Sequence, residues 1–219
     1  MFKVIFQLLI LLYVILLIFN LLELKKYNIN GIIVECDNYQ EVLFNIKNLK
    51  PVCFNGNDSI EIKDDLPNNY NVFKQTGLII NSNLSISKDL LNQKKKMLFF
   101  NDSITIHNHK DETNLEQCIH NYNILSILSG ETKIYLFNPK HKDDIINKKK
   151  YEIKKWSHKK ILRKGENIYI PPNWYYFLET EKNVKVHHTD IDNYFTLIPI
   201  LLKEYYLSFS TPDLTLSTI

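Results

Sequence analysis

GENIYIPPNWYY, residues 165–176, decides how the rest of this 219-residue chain is read. Gly165 follows Arg163 and Lys164 and is free to take a positive φ, so it marks a turn. Ile168 and Ile170 alternate with Tyr169 as a half-buried strand. Pro171 and Pro172 end its ladder, and Trp174, Tyr175 and Tyr176 restart a β-favouring run. A hairpin corner in an ordinary all-β domain would use the same devices, so the neighbouring segments must narrow the reading.

Upstream, NYNILSILSGETKIYLFNPKH (121–141) has the alternation of two strands paired across a turn at Gly130. Further back, NYQEVLFNIKNLKPVCF (38–54) reads as a helix followed by a strand, and VHHTDIDNYFTLIPILLKEYYL closes the pattern near the end. Together these resemble the motifs of cupins and of the JmjC-like, cupin-like oxygenases, whose second motif runs G-x5-P-x-G-x2-H. Gly165, Pro171 and Trp174 fit it; Asn173 replaces the second glycine, and Tyr176 stands where the distal histidine belongs. The final segment is similar to the tail of membrane-anchored cupin-like proteins of large DNA viruses and algae. The resemblance covers roughly residues 36–207 and implies a mainly β fold: a cupin-like double-stranded β-helix, or jelly-roll, barrel with a few flanking helices.

The resemblance also implies where catalytic groups would stand. The family's iron-binding H-x-D lies six and four residues before the asparagine that here is Asn123, which places Gln117 and Ile119 at the ligand positions. Ile119 has no donor atom, and Gln117 is a weak neutral one. The 2-oxoglutarate lysine of the asparaginyl-hydroxylase branch falls on Thr132, while the adjacent Lys133 points to the other strand face. An Fe(II) oxygenase needs two imidazoles and a carboxylate with open positions. The expectation is a catalytically inactive module without cofactor, whose pocket candidates are Gln117, Ile119, Asn123, Thr132, Trp174 and Tyr176, with Tyr175 beside them. The alternative is an oxygenase using Fe(II) and 2-oxoglutarate through other ligands, drawn from His107, His109, His120 and His187.

Those histidines have ordinary readings too. His107 and His109 are two apart and would share a strand face, but HKDET after them is polar and reads as a loop. Cys118 and His120 would form a soft pair on one face only in a shifted register. His187 and His188 are neighbours on opposite faces, so one of them can face the interior.

VIFQLLILLYVILLIFNLL (Val4–Leu22) carries only Gln7 and Asn20 as polar interruptions. A helix of that length matches the hydrocarbon core of a bilayer, at 1.5 Å per residue. No small-residue cleavage site follows, because the chain has no alanine and its first glycine is Gly31. Residues 1–26 are therefore expected to be a transmembrane anchor with its flank, and 27–219 the cupin-like domain, with a mobile tail from about 211. Lys3 on one side and Lys25 and Lys26 on the other give almost no orientation bias. Cys36, Cys53 and Cys118 form no disulfide framework, which leans the domain toward the cytosolic side. The sequons at Asn57, Asn83 and Asn101 are what an asparagine-rich chain makes by chance.

Thirteen tyrosines, 12 phenylalanines and 5 glycines make a β-leaning composition with a real core in one domain. Arg163 is the only arginine, and no groove-reading motif is present, so nucleic acid is not an expected partner. The net charge of +3 is concentrated in lysine runs, 94–96, 148–150 and 154–155, which read as solvated loops able to touch anionic headgroups near a bilayer. The expected ligand is a protein, lipid or glycan, and a closing helix from about Tyr194 to Leu207 could pair two copies. Strands are expected at 32–36, 51–54, 102–107, 117–129, 132–137, 151–156, 159–162, 166–171, 174–179 and 183–188, and helices at 38–48 and from Ser87.

Overall fold

The computed structural model describes residues 2–24, 26, 28, 30–55, 72–78, 98–146 and 148–193, with backbone alone at 72–78 and 98–102. The helix expected from Ser87, the closing helix, the tail, and the sequons at Asn57 and Asn83 lie outside these residues.

The chain opens with helix α1, Phe2–Leu24. Its apolar side chains face outward, Val4 at 58%, Leu8 at 59% and Phe19 at 64% exposure. The side chains of Phe2, Asn20, Leu21, Glu23 and Leu24 are outside the described set. Among the described residues no helix is long and apolar enough to cross a membrane.

Two sheets follow. Strands β1 (Val34–Cys36), β2 (Val52–Asn55), β3 (Val72–Leu78), β4 (Leu98–His107), β5 (Asp111–Glu112), β6 (Glu116–Gln117), β7 (Tyr122–Ser129), β8 (Glu131–Phe137), β9 (Ser157–Arg163), β10 (Glu166–Ile170), β11 (Tyr175–Thr180) and β12 (Val184–Asn193) carry the domain. One sheet runs β1-β2-β10-β7-β12-β4-β3 and the other β5-β11-β8-β9, with β6 also on β11. All pairs are antiparallel except β1 with β2. Among the described residues neither sheet closes on itself, so the expected barrel is two facing, unclosed sheets.

Period-2 alternation sorts the side chains into three apolar layers. The inner layer between the sheets holds Leu125 and Ile127 of β7, Ile134 and Leu136 of β8, Ile168 and Ile170 of β10, Trp174, Tyr176 and Leu178, and Val184 and Val186 of β12. On the back of the larger sheet, Ile124, Tyr169, Val52 and Phe54 pack under helix α2, Tyr39–Lys47. On the back of the smaller sheet, Tyr135, Phe137, Tyr175 and Phe177 pack under Ile145 and Ile153. Helix α2 begins where Asn38, in extended conformation, accepts a hydrogen bond from Gln40 N at 2.9 Å, a side-chain N-cap.

Turns fall where the sequence places them. Gly130 joins β7 to β8 at φ 80, and a Cβ there would meet Val184 Cγ2 at 2.9 Å. Gly165 joins β9 to β10 at φ 87.

Three expectations need correction. Residues 151–156 are not a strand but a helical turn, Lys150–Ile153, and a 3-10 turn, Lys154–Trp156. Ile153 is thereby buried on the aromatic back of the smaller sheet, which a strand continuing into β9 would not cover. The strand expected over 117–129 is broken between β6 and β7, because Cys118 is diverted to pair with the 173–174 corner: Cys118 N donates to Trp174 O and Asn173 N to Cys118 O, both at 2.8 Å. The HKDET loop contains β5, whose two residues pair with Glu179 and Thr180.

Candidate functional site

Asn173 lies at φ 68, the left-handed region that glycine fills in the motif it resembles. The corner therefore survives the substitution, and it delivers Trp174 and Tyr176 to the inner face while Tyr175 joins the outer aromatic layer. Trp174 is fully buried. It packs so closely under Gly31 that a Cβ there would stand 2.9 Å from Cζ2, and its ring centroid is 6.2 Å from that of His158.

Tyr176 donates its phenol proton to Glu116 Oε2 at 2.7 Å. The register explains the pairing: Tyr176 stands opposite Glu116, whereas Tyr175 stands opposite Gln117. Gln117 consequently shares the outer face with Tyr175, away from the inner core. Burial, with the Glu116 and Asp190 charges nearby, pushes the Tyr176 phenol well above its ordinary range, so it stays protonated. Glu116 is exposed as a whole residue, yet burial of its carboxyl end raises its pKa, while the hydrogen bond from Tyr176 pulls it down.

A second group converges from β7 and β12. Asn123, on the inner face opposite Asp190, donates Nδ2–H to Asp190 Oδ1. Its own Oδ1 is buried and has no hydrogen-bond partner among the described residues. His120 Nδ1 lies 2.7 Å from Asp192 Oδ2 and its Nε2 3.5 Å from Asp190 Oδ2. Asn121 N donates to Asp192 Oδ1 at 3.0 Å. Carboxylates two residues apart on one strand thus clamp a single imidazole, in a cluster with Asn123 and close to Tyr176.

The remaining sequence-predicted positions fall elsewhere. Ile119 is half-buried between β6 and β7. Thr132 is fully buried and donates to Glu179 O at 3.1 Å. It pairs with Thr180, while Leu136 pairs with Tyr176, so four strand residues, about 13 Å, separate it from the cluster. Lys133 does point outward, reaching Glu179 Oε1 at 3.4 Å. His109 is exposed beyond β4. His107 stands opposite the inner-layer Val184, and burial lowers its pKa. His187 is buried opposite Ser126 on the outer face, and His188 stands opposite the inner-layer Leu125. Burial, with His187 and His107 near, lowers His188 to about 4, so it is neutral at physiological pH. Among the described residues no group of three His, Cys, Asp or Glu side chains is placed to hold a metal ion.

Sequence reasoning missed Glu116, Asp190 and Asp192. The alternation in HHTDID places both aspartates on one face with His188, a signal that was available; the two-residue strand carrying Glu116 has no pattern to read.

Paired strands in two facing sheets, a glycine-type corner after Pro171, and side chains converging between the sheets define the architecture. The fold is mainly β, two unclosed sheets with a few helices. No family model and no curated protein matches the chain. Solved structures to which the chain has a distant likeness include two described as cupin proteins. The cupin domain of Drosophila melanogaster CENP-C is 16% identical over 46% of this chain and 63% of that one, with a TM-score of 0.29. A cupin superfamily protein from Desulfitobacterium hafniense is 10% identical over 55% and 79%, with a TM-score of 0.32. Streptomyces albus HEPD, solved with 2-hydroxyethylphosphonate and Fe(II), is 13% identical over 48% and 21%, with a TM-score of 0.30. The chain thus spans less than two thirds of the CENP-C domain. Likenesses this distant carry no argument about function.

Proposed function

We propose that this chain is a membrane-anchored binding module built on a cupin-like domain, with no iron or 2-oxoglutarate chemistry. The observation that carries the reading is the Tyr176–Glu116 hydrogen bond at 2.7 Å, on the inner face where the resemblance puts the distal metal ligand. A phenol held protonated and committed to a carboxylate is a poor replacement for an imidazole. Gln117 on the outer face and the hydrocarbon of Ile119 do not complete an iron triad, and Thr132 supplies no cation for a co-substrate carboxylate. The groups that converge suit recognition instead: a clamped imidazole, and the Asn123 carbonyl, a buried acceptor with an open lone pair. A polar group of a protein, lipid or glycan ligand would satisfy it.

The anchor is α1. This part of the proposal rests on the sequence, where Val4–Leu22 carries only Gln7 and Asn20 as polar interruptions, beside the outward-facing apolar side chains of α1.

The full chain in detergent, loaded anaerobically with Fe(II) and separately with Zn(II), with and without 2-oxoglutarate, tests the proposal. Metal near one per chain that is lost on His107→Ala or His120→Ala would overturn it in favour of an oxygenase with other ligands. No retained metal is the expected result.

A further inference from the structure

The span from Pro139 to Trp156 covers the back of the smaller sheet with two isoleucine pegs inward, Lys150 and Lys154 turned to Glu112 and Glu179, and its other lysines outward beside Asp143, Asp144 and Glu152. Lys142, Lys149 and Lys155 are exposed, and among the described residues none of them forms an ion pair. Tyr151 stands between them at 70% exposure, and Ile146 is exposed as well. Trp156 packs on the outer aromatic layer while two ammonium groups approach its ring, Lys148 Nζ at 4.6 Å and Lys155 Nζ at 4.2 Å from the centroid. Lysines interleaved with exposed tyrosine, isoleucine and a half-buried tryptophan are the composition that sits at a bilayer interface, where the rings reach headgroup depth and the ammonium groups meet anionic lipid.

The fold also brings this span close to the anchor. Asn138, which begins it, donates Nδ2–H to Asn28 O at 2.9 Å. Asn28 lies four residues beyond the end of α1, a reach of at most about 14 Å. If α1 is in the bilayer, the start of the basic span is held within that distance of the helix end.

We infer that the Pro139–Trp156 surface docks on the anionic face of the membrane that α1 enters, through Lys142, Lys149 and Lys155 with Tyr151 and Trp156. This inference rests on the anchor reading. It assigns the domain a fixed face toward the lipid, and it leaves the inner-face cluster free for its ligand.

Trp156 and Trp174 are the only tryptophans, and Trp174 is fully buried, so a lipid-borne quencher reports on Trp156. The full chain is reconstituted in phosphatidylcholine vesicles and in vesicles that also contain phosphatidylserine, each carrying a lipid spin-labelled near the headgroup. Quenching is expected to be greater in the anionic vesicles. That excess is expected to be lost in high salt and in the triple variant Lys142→Ser, Lys149→Ser, Lys155→Ser, and Trp156→Phe should abolish quenching while leaving Trp174 emission. Equal quenching in both vesicles, or an excess that survives the triple variant, overturns the inference. Flotation with the neutral vesicles tests the anchor separately, since apolar insertion needs no headgroup charge. A chain that stays behind overturns the anchor and this inference together.

Discussion

Tyr176→Phe isolates the interaction on which the functional proposal rests. The ring remains to pack with Leu136 and Leu178 in the inner layer, and only the phenol that donates to Glu116 at 2.7 Å is removed. Losing a hydrogen bond to a charged acceptor costs on the order of 1.5–3 kcal/mol. Glu116 is exposed as a residue, so water compensates in part, and a loss of about 1.5 kcal/mol or less is expected at neutral pH. The pH dependence is more diagnostic than the size. Burial raises the Glu116 carboxyl in the folded protein and Tyr176 lowers it. A carboxyl whose folded pKa is raised contributes stability that is complete below its unfolded pKa and is lost as pH rises through the folded one. Removing the phenol raises the folded pKa further. The deficit of the variant is therefore largest at neutral pH and shrinks as Glu116 becomes protonated in both proteins. Urea denaturation of the full chain in detergent, followed by tryptophan emission at neutral pH and near pH 4, measures both. A deficit of the same size at the two pH values, or none at neutral pH, refutes the reasoning.

Three further substitutions probe the corners and the core. Asn173→Gly should be nearly neutral and Asn173→Ala should cost about 1 kcal/mol, read as a shift in the urea midpoint, because alanine resists the φ of 68. Gly130→Ala should be more damaging than Asn173→Ala, since it adds contact with Val184 Cγ2 at 2.9 Å to the same backbone penalty of about 1–2 kcal/mol; pairing it with Val184→Ala should restore only the steric part. Cys53, buried and pushed up to about 11 by burial, should resist alkylation at pH 8 in the folded chain and label on unfolding, as mass spectrometry of the modified peptide would record.

The 165–176 stretch was legible because its devices are local. Gly165 turns, Pro171 ends the strand, and alternation assigns Ile168, Ile170, Trp174 and Tyr176 to one layer whatever surrounds them. What the sequence hid was set at long range. Tyr151, Ile153 and Trp156 read as β-favouring residues, yet an exposed aromatic sheet back had to be covered, and only a helical excursion puts Ile153 upon it. Strand β5 is two charged residues held by backbone hydrogen bonds to β11, which leave no side-chain signature. Counting back from Asn123 gave Gln117 as the inward position, but the break at Cys118 uncouples β6 from β7, and pairing with β11 makes Glu116 the residue that meets Tyr176. Asp190 and Asp192 share a face by plain alternation, and only the fold brings His120 between them.

The three-layer arrangement implies an order of disassembly. Ile145, Ile153 and the partly buried Trp156 pack the lysine-bearing cover on the aromatic floor of Tyr135, Phe137, Tyr175 and Phe177, Lys150 and Lys154 tie its rim to Glu112 and Glu179, and neither isoleucine reaches the core between the sheets. The cover can lift as a unit while both sheets stay paired, so amides in 142–156 should exchange with solvent well before those of β7, β8 and β10. A molecule built this way has a greasy underside behind a detachable cationic flap, and whatever pulls on the flap uncovers that underside without unfolding the protein.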